Sequence, residues 1–446
     1  VTLGKTPFVT GLFPLGGRSG KSSYSWVTGW NLNQRQIELD TQPGPDNIRE
    51  LTLTQFGLKT NPVSYAVDTL PEFLETEPNN TIQNAQRVYS SQIVNGKISQ
   101  PGDIDVFRYD GKPGETLVVD VQARRLQSPL DSWVQITNSV GSVLQWNDDR
   151  PDKEYGMLTH HADSFLMYKI PTEGIYYLTL RDAQNQGGDA YAYRLRLSPP
   201  RPDFALRMTP STLNLSPGRT IPVKVYAIRK EGFTGDISIG LKGAPSGFRL
   251  SGNKIPAGMD EIRMTMTAPW QMDMAVTHLL LEGSASVNGQ KVIRPVVPSD
   301  DMMQAFAYHH LVPSRELAVS LKDVRRWMNL PVPDIGKINI PAGGSVPVEV
   351  VLPPRARTPN LQLKLNEPPK GISLKNVKVV PGKLSFTIGS DAKILKPGYQ
   401  DNLIIDVFSE VTVNRPNAPK AAAKQSVSLG ALPAIPMEII QPLNKK

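Results

Sequence analysis

Two short stretches gather oxygen ligands. "ETEPNN" offers Glu75, Glu77, Asn79 and Asn80, and "PGDIDVF" offers Asp103 and Asp105 on either side of Ile104. Calcium takes about six to eight oxygens from carboxylates, amides and carbonyls. If the segment bearing the first stretch folds back onto the second, four carboxylates meet, and a divalent cation would cancel their repulsion. The ordinary alternative leaves Glu75 and Glu77 solvated and makes Asn79-Asn80 a turn.

Catalytic groups are harder to assemble. The histidines are His160, His161, His278, His309 and His310. A zinc hydrolase wants two or three converging histidines with a carboxylate and an open position. Here "HHADS" and "YHH" give adjacent pairs, and neighbours on a strand point to opposite faces. No His-Glu-x-x-His, Gly-x-Ser-x-Gly or phosphate-cradling glycine loop occurs. With no cysteine, a disulfide framework, thiolate zinc sites and a cysteine nucleophile are excluded. Trp26, Trp30, Trp133, Trp146, Trp270 and Trp327 could stack on sugar rings or fill cores. Trp133, in an apolar strand, is expected in a core. Trp146, next to "NDD", is the candidate for an exposed ligand-binding ring.

The elements that must position these groups are almost all strands. "ETLVVDVQA", "GIYYLTLRDA", "YAYRLRLSP", "IPVKVYAI" and "NLIIDVFSEVTV" are rich in β-branched and aromatic residues. Gly, Pro, Asn and Asp punctuate them at sandwich-like spacing. "SDDMMQAFAYHHLVPSRELAV" is the one stretch that reads as a helix, with serine and aspartates at its start and Pro313 limiting it. Its place between strand-rich blocks predicts a short helical linker.

Proline-bearing joints at 67–78, 198–204 and 294–301 divide the chain. The expected modules are 1–69, 70–200, 201–300, a linker over 301–316, and 317–446. The last is a repeat of the third. "SPGRTIPVKVYA" matches "PAGGSVPVEVVL", "GAPSGFRLSGNKIPAG" matches "EPPKGISLKNVKVVPG", and "HLLLEGSASV" matches "NLIIDVFSEV", all near one offset. The shared Pro-x-Gly turn (Gly247, Gly371) calls for a backbone conformation that other residues avoid.

The formal charge of +8 is uneven. Residues 71–200 carry 12 Lys+Arg against 17 Asp+Glu, a difference of −5, which leaves +13 for the remainder. No basic stripe is interleaved with aromatics, which argues against nucleic acid. No apolar run reaches the roughly 20 residues of a membrane helix. The opening Val1-Thr2, without methionine or signal-like segment, reads as a processed product.

Some modules resemble known families. Pro7, Pro14, Gly16-Gly17, Gly20, Gly29, Asn31-Leu32 and the closing "NPVSYAV" make residues 6–68 similar to an IPT/TIG immunoglobulin-like domain. "ETEPNNT", "VNGKISQPGDIDVFRYDGKPGETLVVDV", "SPLDSWVQITNSVGSVLQWNDD", "DSFLMYKIPTEGIYYLTLRD" and "YAYRLRL" fall in the order of the bacterial pre-peptidase C-terminal domain, which 71–200 resembles. That resemblance implies a jelly-roll-like sandwich in which the linker glutamates, the asparagine and the Asp-x-Asp bind calcium. It also places Asp131, Asp148, Asp149, Asp163 and Asp182 at strand ends, as a second candidate cation set. Residues 203–300 and 317–446 look like bacterial Ig-like sandwiches, and the module order is similar to secreted or surface proteins of planctomycete-type bacteria.

The fold expected is therefore all-β: tandem Ig-like and jelly-roll-like sandwiches with one short helical linker. The function expected is non-catalytic attachment or assembly at a bacterial cell surface or in its surroundings. Its partners would be a polysaccharide, a matrix or surface protein, or further copies of the chain, with calcium as the bound ion. Two alternatives stay open. One is the accessory C-terminal region of a secreted peptidase or glycoside hydrolase. The other is a metal-dependent hydrolase using His160, His161 or His309.

Overall fold

A computed structural model describes residues 4–44, 47–150, 162–270, 276–304, 308–321, 332–352, 361–413 and 423–442. The protein is all-β, and its strands fall into two units, residues 1–201 and 202–446. Period-2 alternation of apolar and polar residues runs through both units, so each sheet buries one face.

The first unit opens with β1 (Phe8–Phe13), β2 (Gly16–Arg18), β3 (Tyr24–Trp30), β4 (Gln36–Glu38), β5 (Ile48–Leu51), β6 (Thr54–Gln55), β7 (Leu58–Lys59) and β8 (Val63–Asp68). Small sheets β1-β3-β4 and β2-β8-β5 close over Val9, Leu12, Leu15, Val27, Ile37 and Tyr65. Leu126 and Ala192, from later in the chain, complete that core.

The larger sandwich of this unit comprises β9 (Glu72–Leu74), β10 (Gln86–Val88), β11 (Gln92–Lys97), β12 (Ile104–Gly111), β13 (Thr116–Gln122), β14 (Ser132–Asn138), β15 (Val143–Asn147), β16 (Phe165–Lys169), β17 (Gly174–Asp182) and β18 (Ala192–Ser198). One sheet runs β10-β12-β17-β14-β15 and the other β16-β13-β18-β11-β9. Phe107, Leu117, Val119, Val134, Leu178, Tyr193 and Leu195 fill the space between them. β9 pairs parallel to β11, with Glu72 level with Ile93, and β18 pairs antiparallel on the other side, with Arg196 level with the same Ile93. The segment after β8 is thus the edge strand of a sheet.

In the second unit one core gathers Phe204, Leu206, Val225, Ile237, Met264, Met266, Leu317 and Val319, and another gathers Ile340, Val348, Leu384, Phe386, Leu403, Ile405 and Met437. Thr220–Lys230 pairs with Glu261–Thr267 in the one, and Ser345–Val351 pairs with Lys383–Ser390 in the other. Gly247 and Gly371 both take left-handed backbone, φ 92° and 93°. A Cβ at Gly247 would come within 2.6 Å of Pro269 Cβ.

The helical linker is corrected to strand. Gln290–Gln304 is one 15-residue strand, Tyr308–Pro313 returns against it, and Leu317–Leu321 follows. Pro295 and Pro298 hold the chain extended. The aspartates read as a helix cap serve other contacts instead. Asp300 Oδ1 accepts from the Ser211 hydroxyl (2.8 Å), and Asp301 meets His309 Nδ1 (2.8 Å). Leu317–Leu321 pairs with Thr212–Leu215 and Val276–Val287, so it completes the first of the two cores rather than opening the second.

Candidate metal centre

The linker is laid onto the larger sandwich by its backbone. Glu75 N donates to Asn95 O (3.0 Å), and Val106 N donates to Asn79 O (2.8 Å). The two contacts reach β11 in one sheet and β12 in the other. The side chains of Glu75 and Glu77 then stand over the end of the sandwich, where Asp105 points inward from β12 and Tyr193 from β18. One oxygen each from Glu75, Glu77 and Asp105 lies within 4.8 Å of the others, the one group of three possible metal-ligating residues found among the described residues.

The fit is tight. Gly96 lies beneath Glu75, and a Cβ there would stand 2.2 Å from Glu75 Oε2 and 2.3 Å from the Tyr193 hydroxyl. Glu75 Oε1 accepts from Lys97 N (2.6 Å). Asp105, Asn79 and Tyr193 are fully buried. The Tyr193 hydroxyl lies 2.7 Å from Glu75 Oε2 and 2.6 Å from Asp105 Oδ2. A phenol has one proton to donate, so one of these short contacts requires a carboxyl that keeps its own proton.

The electrostatics agree. Burial raises the Glu75 carboxyl's pKa, and the charge of Glu77 adds to the rise. Burial also raises Asp105's, and Glu75's charge raises it further. Burial and the two carboxylates push Tyr193 well above the usual phenol range. Among the described residues no arginine or lysine side chain is paired with Glu75 or Asp105, and the hydrogen bonds from Tyr193 and Lys97 N are outweighed by burial.

Asn79 sharpens the point. Its carboxamide faces Glu77 Oε2 at 2.9 Å and Asp105 Oδ1 at 3.3 Å. With its nitrogen turned that way it donates to both. With its oxygen turned that way, either a cation lying among the oxygens or a proton kept on one of the carboxyls would relieve the contact. Three carboxylates and one carboxamide, with no nitrogen or sulfur donor, suit a hard divalent ion such as calcium rather than zinc or copper.

Other expected ligands are placed differently. Asn80 Nδ2 donates to Asp103 Oδ1 (2.7 Å), while Asp103 Oδ2 accepts from Ser99 N (2.7 Å), so this pair shapes the loop before β12. The second cation set is not gathered. Asp163 accepts from Arg124 N (2.6 Å) and Arg125 Nε (2.7 Å). Asp182 accepts from Asp131 N, Gln184 N and Gln186 N, and Asp131 Oδ2 accepts from Gln184 Nε2. Asp148 Oδ1 accepts from Asp149 N (3.0 Å). These aspartates tie turns, and Asp163 accepts from the amides that open the single turn of 3-10 helix at Arg124–Leu126.

The histidines do not converge among the described residues. His309 is exposed beside Asp301, His310 is buried, and His278 lies 3.2 Å from Glu316. His160, His161 and Trp327 lie outside the described residues. Trp133 is not in the core. It lies on the outer face of its sheet, half-buried between Trp146 (6.3 Å between ring centres) and the Arg181 guanidinium (4.4 Å). Trp146 is 55% exposed. Tyr193 and Gly96 were not singled out in the sequence, and the alternation of "YAYRLRL" marks Tyr193 only as inward-facing.

No family model matches the chain. Over 121 residues it is 28% identical to a probable subtilase-type serine protease of Deinococcus radiodurans. That match takes in 26% of this chain and 15% of the protease, so the chain corresponds to a small part of that relative. Among solved structures, the pre-peptidase C-terminal domain of a Bacillus anthracis collagenase is similar at 13% identity, covering 28% of this chain and 100% of that one with a TM-score of 0.20. The D00–D0 domain of intimin is similar at 11% identity, covering 52% of this chain and 99% of that one with a TM-score of 0.17. At these scores neither likeness bears on what the chain does.

Proposed function

We propose that the chain is a secreted or surface-exposed attachment segment of a bacterial protein, in which a calcium ion pins the 70–80 linker to the pre-peptidase C-terminal-like sandwich. Glu75, Glu77, Asp105 and the Asn79 carboxamide oxygen hold the ion. Bound there, it lets buried carboxylates ionise and ties β9 to β12 across the end of the sandwich. The partner is a polysaccharide or a matrix or surface protein, met by the outer faces of the sandwiches, Trp146 among them. The observation that carries the ion is the gathering of three carboxylates around a carboxamide with, among the described residues, no arginine or lysine paired with Glu75 or Asp105.

Calorimetric titration of the full chain with calcium and with magnesium tests this. One calcium site is expected, lost in Asp105→Asn and in Glu77→Gln. A chain that takes up no calcium at millimolar concentration overturns the ion's part in the reading.

A second reading is favoured by the match to a subtilase-type protease. The segment would then be the accessory part of a secreted peptidase, and holding substrate near that enzyme would be its contribution. Activity of the complete protease on fibrous against soluble substrates, with and without this segment, separates the two.

A further inference from the structure

We propose that a cleft in the first unit, between β1 and β3 on one side and residues 126–128 on the other, binds one ring of a neutral sugar. The cleft measures about 350 Å³, at the small end of ligand sites. It takes a single ring, and not a folded segment.

Its rim is aromatic. Phe8 and Trp30 stand opposite one another on β1 and β3, with ring centres 6.1 Å apart, and are 46% and 66% exposed. Their closeness depends on Gly29, where a Cβ would lie 2.0 Å from Phe8 O. The floor is Leu12, Leu15 and Leu126, all buried. Gln127 and Ser128 form the far wall.

Two backbone irregularities converge here. β1 carries a bulge between Val9 and Gly11, which puts Thr10 out of register with β3. Gln127 adopts a left-handed conformation, φ 67°, that a side chain with a Cβ rarely takes. Bulges and strained residues re-aim side chains and gather at binding sites. Both belong to the lining of this one cleft.

The lining chooses the ligand. It contains no Asp, Glu, Lys or Arg, so a charged group would enter without a counter-ion. A wholly apolar ligand would waste the polar wall. Gln127 Nε2 donates to Ser64 Oγ at 3.3 Å, leaving its other N–H and its carbonyl oxygen to a ligand. An uncharged ring with one C–H face for Trp30 and hydroxyls for Gln127 meets both requirements.

This deepens the attachment reading by naming a ligand class and a place, and it is independent of the calcium ion. The experiment is retention of the full chain on immobilised cellulose, β-1,3-glucan, chitin and α-mannan, against polygalacturonate and chondroitin sulfate, each with calcium and with chelator. Retention on at least one neutral matrix is expected. It should weaken about tenfold in Trp30→Ala and about fivefold in Gln127→Ala, and stay unchanged in Phe56→Ala, an exposed aromatic outside the cleft. Gln127→Ala reads the same cleft if Trp30→Ala fails to fold. The proposal falls if no neutral matrix retains the chain, or if the acidic matrices are preferred. It also falls if Trp146→Ala abolishes retention while Trp30→Ala does not. A chain that binds calcium but no neutral glycan loses this proposal alone, and one retained through Trp30 without binding calcium loses only the ion.

Discussion

The larger sandwich of the first unit buries carboxylates in two places and treats them in opposite ways. At one, Arg125 reaches Asp120 Oδ1 (2.5 Å) and Asp163 Oδ2 (2.7 Å), with Arg196 at 3.3 Å and Arg150 at 3.8 Å from Asp120. Burial alone would push the Asp120 carboxyl up, but Arg125, then Arg196 and Arg150, outweigh it and hold it well below the usual range. At the other, Glu75 and Asp105 are raised and share one tyrosine proton. The first cluster carries its own cations. The second has no arginine or lysine paired with its acids among the described residues, the contrast on which the proposed calcium site rests. Burial of acids therefore says little by itself, and what stands opposite them decides whether they brace the fold or wait for an ion.

The comparison can be broken most forcefully at Arg125. Arg125→Ala leaves two buried aspartates short of their shared partner and should cost about 3–5 kcal/mol in denaturant unfolding. Asp105→Asn, by contrast, removes an uncompensated acid and should leave the calcium-free protein equally stable or more so. If both substitutions cost the same, the two clusters are alike and the contrast fails.

Calcium should act on one cluster only. At a hundredfold excess over its dissociation constant it should stabilise the first unit by about 2.7 kcal/mol, read as a shift in the thermal transition. The shift should vanish in Asp105→Asn and Glu77→Gln. Gly96→Ala should cost about 1–3 kcal/mol by overpacking, because its methyl group meets Glu75 and Tyr193. It should also weaken calcium uptake, which an ordinary strand glycine would not.

The pH dependences have opposite signs. Glu75 and Asp105 have raised values, so the folded state holds their protons longer than the unfolded chain does. Without calcium, their contribution is full below the unfolded carboxyl range and is lost as pH rises through the raised values. Each group sets a slope of at most about 1.4 kcal/mol per pH unit. Asp120 is lowered, so its contribution is present above the unfolded range and is lost as pH falls through its depressed value. Hydrogen exchange of β12 and β13 peptides, followed across pH with chelator and with calcium, reads the two trends separately. Calcium should flatten the first and leave the second untouched.

Much of this was legible in the sequence, because strand alternation and turn residues are local signals. The oxygen-rich linker was legible too, since Glu75, Glu77 and Asn79 are near neighbours and Asp105 alternates inward along its strand. Tyr193 and Gly96 were not. A tyrosine in "YAYRLRL" reads as core, and a glycine before Lys97 carries no mark of what lies above it. The second aspartate set misled because a residue suited to binding a cation is equally suited to accepting turn amides, and only the third dimension distinguishes them. Trp133 misled because an apolar-looking strand can carry its tryptophan on the outer face, covered by Arg181 and Trp146. The 299–319 stretch misled because Asp301 has its partner across a hairpin and Asp300 has its partner, Ser211, far back in the chain, which no helical pattern anticipates.

The edge position of β9 has a mechanical consequence. The chain enters the larger sandwich along β9 and leaves along β18, and both flank β11. One runs with β11 and the other against it, so entry and exit lie at the same end of the sheet, about 10 Å apart at two strand spacings. The two ends of the sandwich's own chain therefore lie side by side. A pull on the two ends would open the ladder like a zipper, one rung after another, instead of loading all its rungs together in shear.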